Sequence, residues 1–218
     1  VYCPGDVMAS NPKWRKPLDT WKKYFSRWIT VPEEKALMHA NIFFDLRCVY
    51  GDSGLVDDLK ESIREDAKRN ELFLALMAKN AMNFQPPLGF FRQFVLEKSG
   101  EHKNTLDIKK HGIMPIVEIA RIRALAAGEM RITTRNRLRA AAKAGEITEP
   151  DAASLIDALD FIEKLRVEHQ NRQLHAGKRP DNHLSPGELS SLVRQNLKSA
   201  FSQVSTSQSA LLNRFHLA

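Results

Sequence analysis

Two cysteines in 218 residues are too few for a disulfide framework or a four-thiolate metal site. Cys3 and Cys48 also stand too far apart in sequence to form a redox pair, so ordinary reduced thiols are expected. No apolar run approaches the roughly 18 to 20 residues needed to cross a bilayer, and the chain does not open on a basic segment followed by an apolar stretch. The expectation is a cytoplasmic protein with no membrane partner. The seven histidines lack metal-ligand spacing, which disfavours zinc. A glycine-rich phosphate loop, GxGxxG, HExxH and GxSxG are all missing.

What remains is an ordinary globular composition, 43% hydrophobic and 27% charged, long enough to bury a core in one or two domains. The net charge of +7 favours an anionic partner. Lysines and arginines are interspersed with acids along the chain rather than gathered on one element, which argues against a dedicated nucleic-acid binder.

Periodicity makes the chain mainly α. Val1 to Trp14 reads as loop or short strand, broken by Pro4, Gly5, Asn11 and Pro12. From Leu18 to Ile29, apolar residues recur every three or four positions, and a short helix is expected from Glu33 to His39. Asn41 to Tyr50 is ambiguous between a buried strand and a helix extension, with helix favoured. Helices follow over Gly54 to Arg69 and Asn70 to Asn83, closed by Pro86 and Pro87. Phe91 to Glu97 and Thr105 to Lys109 look extended and flank a polar loop, which suggests a small β-hairpin.

The C-terminal half carries stronger helix signals. Pro115 opens an almost wholly apolar stretch that Gly128 closes. Thr134 caps a helix ending at Gly145, and Thr148 with Asp151 forms a capping box for a long helix to Leu174. Ser185, Pro186 and Glu188 combine cap, first-turn proline and carboxylate, predicting a helix start. Its stripe runs through Leu189, Leu192, Val193, Leu197, Phe201, Val204, Leu211 and Phe215 and needs partners, so an antiparallel helical bundle is expected.

Candidate functional residues are charges set in apolar surroundings. Asp45 and Arg47 interrupt NIFFDLRCVYGD, and Arg121 lies one turn from Glu118 in an apolar helix; each reads as a structural ion pair or a ligand contact. Asp107, Lys109 and Lys110 precede a helix N-terminus, where amides favour anions, although a solvated loop end is the plainer reading. Along the long helix, the apolar stripe ends at His169 beside Arg166, a polar patch turned inward. Nucleotidyl transfer needs an Asp-x-Asp pair after a Gly-Ser turn to hold two metal ions against a triphosphate, and the chain has none. The Asp57-Asp58 and Glu33-Glu34 doublets read as solvated helix faces.

The segments YCPGDVMASNPKWRKPLDTWKKYFSRWI, ALMHANIFFDLRCVYGD, PPLGFFRQFV, DIKKHGIMPIVEIARIRAL and LRVEHQNRQL together resemble the nucleotidyltransferase substrate-binding domain family, over nearly the whole chain. The resemblance implies a C-terminal region that follows cyclic-nucleotide-binding or CBS regulatory domains and a transferase domain similar to that of protein-PII uridylyltransferase. It implies that residues 1–52 are the tail of an α/β nucleotidyltransferase domain and its junction, and 53–218 a helical substrate-binding domain. Mg2+ and a nucleoside triphosphate are then expected for the parent enzyme, with no cofactor and no complete catalytic site in these residues; Asp6 is the one carboxylate near a possible further metal acid. Asp45, Arg47, Asp107, Lys109, Lys110, Arg121, Arg137, Arg166 and His169 become candidate contacts to nucleotide or acceptor protein, in a signal-transduction role. The competing expectation is a helical interaction module that forms a homodimer or relays regulatory signals.

Overall fold

The computed structural model describes residues 7–8 and 11–217; the expectations placed on Cys3 and Asp6 lie outside them. Among the described residues, eight α-helices and one two-stranded antiparallel sheet form a mainly α structure. The helices are α1 (Leu18–Thr30), α2 (Glu34–Phe43), α3 (Gly54–Lys68), α4 (Glu71–Ala81), α5 (Met114–Ala126), α6 (Thr134–Lys143), α7 (Glu149–His175) and α8 (Ser191–Arg214). The strands are β1 (Leu106–Asp107) and β2 (His183–Leu184).

Helix α5 is the axis. Apolar residues occupy nearly all its positions, and it is buried from Pro115 to Leu125 with α3, α4, α6 and α8 packed around it. A helix apolar on every side has no solvent face to present and so takes the centre. The other helices each bury one stripe: Phe25, Trp28 and Ile29 on α1; Leu59, Ile63 and Ala67 on α3; Leu155, Leu159, Ile162 and Leu165 on α7. One connected core runs from Trp14 to Phe215.

Local chemistry sets the helix ends. Asn70 caps α4 by accepting from the Phe73 amide at 2.9 Å, and its side-chain amide donates to Ile29 O at 2.9 Å, tying the last turn of α1 to the first of α4. Thr148 caps α7 as expected, accepting from the Asp151 amide while its hydroxyl donates to the Asp151 carboxylate at 2.7 Å. The cap of α6 is Thr133, one residue before the expected Thr134.

Three expectations are corrected. The run Asn41 to Tyr50 is helical only to Phe43; Phe44 stays buried in the following turn, and the chain to Tyr50 is irregular. Ser185 starts only a 3-10 turn, Pro186–Glu188, and its side chain makes no cap bond; Leu189 is extended again and Ser190 caps α8 by accepting from Val193. Leu192 is therefore 69% exposed, while Ser207 and Gln208 occupy buried positions on α8. The expected small antiparallel sheet exists, but β1 pairs with β2, Leu106 against Leu184 and Asp107 against His183. Both leucines are buried, so this pairing closes the core between α5 and α7. The Phe91 to Glu97 segment forms a local bridge of Leu88 with Phe94, and at Glu97 the amide donates to Thr105 O at 3.0 Å while the carbonyl accepts from the Asn104 amide at 2.9 Å.

Candidate functional site

The predicted residues sort into three groups. The first is a charge network on α5. Glu118 and Arg121 are only 3% and 4% exposed, and Arg121 Nη1 donates to Glu118 Oε1 at 2.6 Å. The same guanidinium donates through Nη2 to Asp45 Oδ2 at 2.8 Å, and Asp45 Oδ1 is 2.7 Å from Nη1 of Arg137 on α6. Arg137 also donates to Arg131 O at 2.6 Å and to Phe44 O at 3.3 Å. Two acids and two bases thus balance. Burial pulls the Arg121 pKa down, but Glu118 and Asp45 outweigh it and leave it raised; for Arg137, burial prevails and its pKa is lowered. Asp45 pairs with Arg121 and Arg137 rather than with Arg47, because the turn after α2 sends these side chains apart.

The second group secures the sheet. Asp107 Oδ1 accepts from the amides of Lys109 at 3.1 Å and Lys110 at 2.9 Å, so the donors an anion would have used are taken by the protein's own carboxylate, and both lysine side chains are exposed. On α7, Arg166 Nε donates to Asn182 Oδ1 at 2.6 Å, and His169 Nε2 lies 3.2 Å from Asp181 Oδ1. Asp181 also accepts from the His183 amide at 2.8 Å. Burial pushes the Asp181 carboxyl up, but the His183 amide, Gln173 and His169 outweigh it and hold it below its ordinary value. The inward polar patch on α7 therefore grips the segment that leads into β2.

Arg47 alone forms the third group. It lines a cavity of about 440 Å3 together with Lys16, Trp14, Trp21, Phe43 and the leucines of α3. The aromatic rings pack on one another, Trp14 with Trp21 at 5.8 Å and Phe43 with both at 4.7 and 4.8 Å between centroids. No acid lines this cavity, and neither Lys16 nor Arg47 is ion-paired among the described residues. The arrangement offers flat apolar walls beside two uncommitted cations, suited to a planar ring carrying an anionic group. Sequence reasoning found Arg47 but not Lys16 or the tryptophans, since the α1 stripe signals burial equally for a filled core and a hollow one.

Comparison with known families places this cavity at a boundary. The family described as Putative nucleotidyltransferase substrate binding domain matches residues 71–215, well over half the chain, and the family described as Putative nucleotidyltransferase DUF294 matches residues 1–35. Trp14, Lys16 and Trp21 fall in the second match, while Phe43, Arg47 and the α3 residues fall between the two. No curated protein and no solved structure matches the chain.

Two outcomes follow from the geometry. Arg121→Met leaves Glu118 buried without its partner and should destabilise the fold by about 3–5 kcal/mol in chemical denaturation, with Glu118→Gln in the same background recovering much of the loss. A single-variant loss under about 1 kcal/mol contradicts the network. For Asp181, a pKa held below the unfolded value stabilises the fold above that value and stops doing so as pH falls through the folded one. The Tm of Asp181→Asn should lie below the parent's at pH 6, and the gap should close below about pH 4. A gap constant with pH would show that the carboxylate's charge plays no part.

Proposed function

This chain belongs to the nucleotidyltransferase substrate-binding domain family, and from that premise we propose that it is the substrate-side, C-terminal part of an enzyme similar to protein-PII uridylyltransferase, acting in signal transduction. The observation that carries the reading is the aromatic cavity flanked by Lys16 and Arg47. A nucleotide base or an acceptor's ring stacks against Trp21 and Phe43, and its phosphate or carboxylate meets the two cations. Each charge-assisted hydrogen bond is worth about 1.5–3 kcal/mol and a stacked ring about 0.5–1.5.

Catalysis and regulation are shared with other parts of the parent enzyme. Among the described residues, no three of His, Cys, Asp and Glu are placed to hold a metal ion together. In this reading Mg2+ is gripped by an upstream transferase domain, itself governed by cyclic-nucleotide-binding or CBS domains, in the cytoplasm, and the nucleotide reaches from that domain into the cavity at Lys16 and Arg47. No helix among the described residues is long and apolar enough to cross a membrane.

The test is a titration of the chain with nucleoside triphosphates, read by tryptophan fluorescence. Saturable quenching is expected, with affinity at least five-fold weaker in Lys16→Ala/Arg47→Ala at unchanged Tm. Equal affinity in that variant removes the cavity as the site.

A second reading, a helical interaction module that forms a homodimer or relays regulatory signals, is favoured by Phe90, Phe91 and Leu192, which are 93%, 84% and 69% exposed. Sedimentation equilibrium decides it: self-association that Phe90→Ser/Phe91→Ser abolishes supports dimerisation, and a monomer at high concentration rules it out.

A further inference from the structure

A second cavity, of about 500 Å3, lies where α5, α7 and α8 meet the loop after α6. Arg123 of α5 lines it and is 7% exposed. Its Nη1 donates to Glu146 O at 2.6 Å and its Nη2 to Ala210 O at 3.1 Å, but its buried Nε has no acceptor, and no carboxylate among the described residues lies within ion-pair distance of it. The nearby Glu146 carboxylate is engaged by Arg214 Nε at 3.3 Å. Burial accordingly lowers the Arg123 pKa, the reverse of Arg121 two residues earlier on the same helix.

Ser207 faces the same cavity and is 6% exposed. Its α8 neighbours return their hydroxyls to their own helix, Thr206 to Ser202 O at 3.1 Å and Ser209 to Ser205 O at 3.2 Å. Ser207 makes no hydrogen bond with its side chain among the described residues. The Ser207 hydroxyl therefore has a donor free to serve an acceptor inside the cavity. The exposed residues Glu149 and Asp151 line the same cavity, and the Asp151 carboxylate also accepts from Thr148 Oγ1 at 2.7 Å.

We propose that this cavity binds a small zwitterion of the α-amino-acid class, its carboxylate on Arg123 and Ser207 and its ammonium on Glu149 and Asp151. A phosphate would confront three lining carboxylates with one uncompensated guanidinium. A simple amine would gain the acids but leave Arg123 unmatched. A ligand with both charges a few ångströms apart satisfies both walls, and the volume lies within the range of small-molecule sites. This site is separate from the cavity at Lys16 and Arg47 and does not depend on it.

The experiment is calorimetric titration of the whole chain with each common amino acid, with acetate, ethylamine and inorganic phosphate as single-charge probes. At least one amino acid should bind saturably, ten-fold or more tighter than any of the three probes. Ser207→Ala and Glu149→Gln should each weaken that binding by three-fold or more with Tm unchanged, and Arg123→Lys, where folded, by ten-fold or more. Binding of no amino acid at millimolar concentration, phosphate or acetate binding as tightly as the best amino acid, or unchanged affinity in both Ser207→Ala and Glu149→Gln overturns the assignment.

Discussion

Burial of Arg121 and Glu118 inside α5 constrains the rest of the molecule. Removing a charge from water costs several kcal/mol even after relaxation, and the cost is offset only where geometry and further hydrogen bonds are good. One carboxylate does not complete a guanidinium, so Arg121 requires Asp45, and Asp45 lies in the turn after α2. That turn must come down onto α5. Asp45 then has a second oxygen, which takes Arg137, and Arg137 takes Phe44 O and Arg131 O. A single buried pair thus fixes α2, α5 and α6 against one another, and the end of α2 at Phe43 follows from it.

The same helix carries a second buried guanidinium with a different environment. Arg121 and Arg123 are two positions apart, so they leave α5 on nearly opposite sides. Arg121 meets two carboxylates, whereas Arg123 meets two backbone carbonyls and an open cavity. The protein has acids close to Arg123 yet gives Glu146 to Arg214 and bonds Asp151 to Thr148. Full neutralisation on one side and its omission on the other separate a packing device from a place where a counter-charge can arrive.

Legibility in the sequence followed the range of the interaction. The Thr148–Asp151 cap, the Glu118–Arg121 pair and the almost wholly apolar run of α5 all arise within one or two helical turns, where residue spacing determines geometry. Partners remote in sequence were not readable. Nothing near Asp45 names Arg121 or Arg137, and nothing near Leu106 names Leu184, because a helical period reveals which face is covered and not what covers it. Ser185 failed as a start for α8 for a related reason. Its motif is favourable locally, but Leu189 is buried in extended conformation, and the core's demand for that side chain delays the helix until Ser190 can cap it. The cavity at Lys16 and Arg47 was half visible: a charge in an apolar run is conspicuous, while a hollow between two apolar stripes is not.

The placement of Arg47 links the charge network to the aromatic cavity. Asp45 is held by two guanidiniums, and Arg47 follows it by two residues in a non-helical segment, so the clamp that satisfies the core also fixes where the Arg47 backbone leaves it. Lys16 reaches the same cavity from the opposite side, ahead of α1, within the stretch that matches the nucleotidyltransferase family. The two cations therefore belong to segments anchored independently, one by the ion pairs of the half-exposed Asp45 and the other by the packing of Trp14 and Trp21. A binding site gains most from groups whose positions are set before the ligand arrives, since ordering them on binding would subtract from affinity. An aromatic wall fixed by packing and an arginine two residues from a salt-bridged aspartate meet that condition.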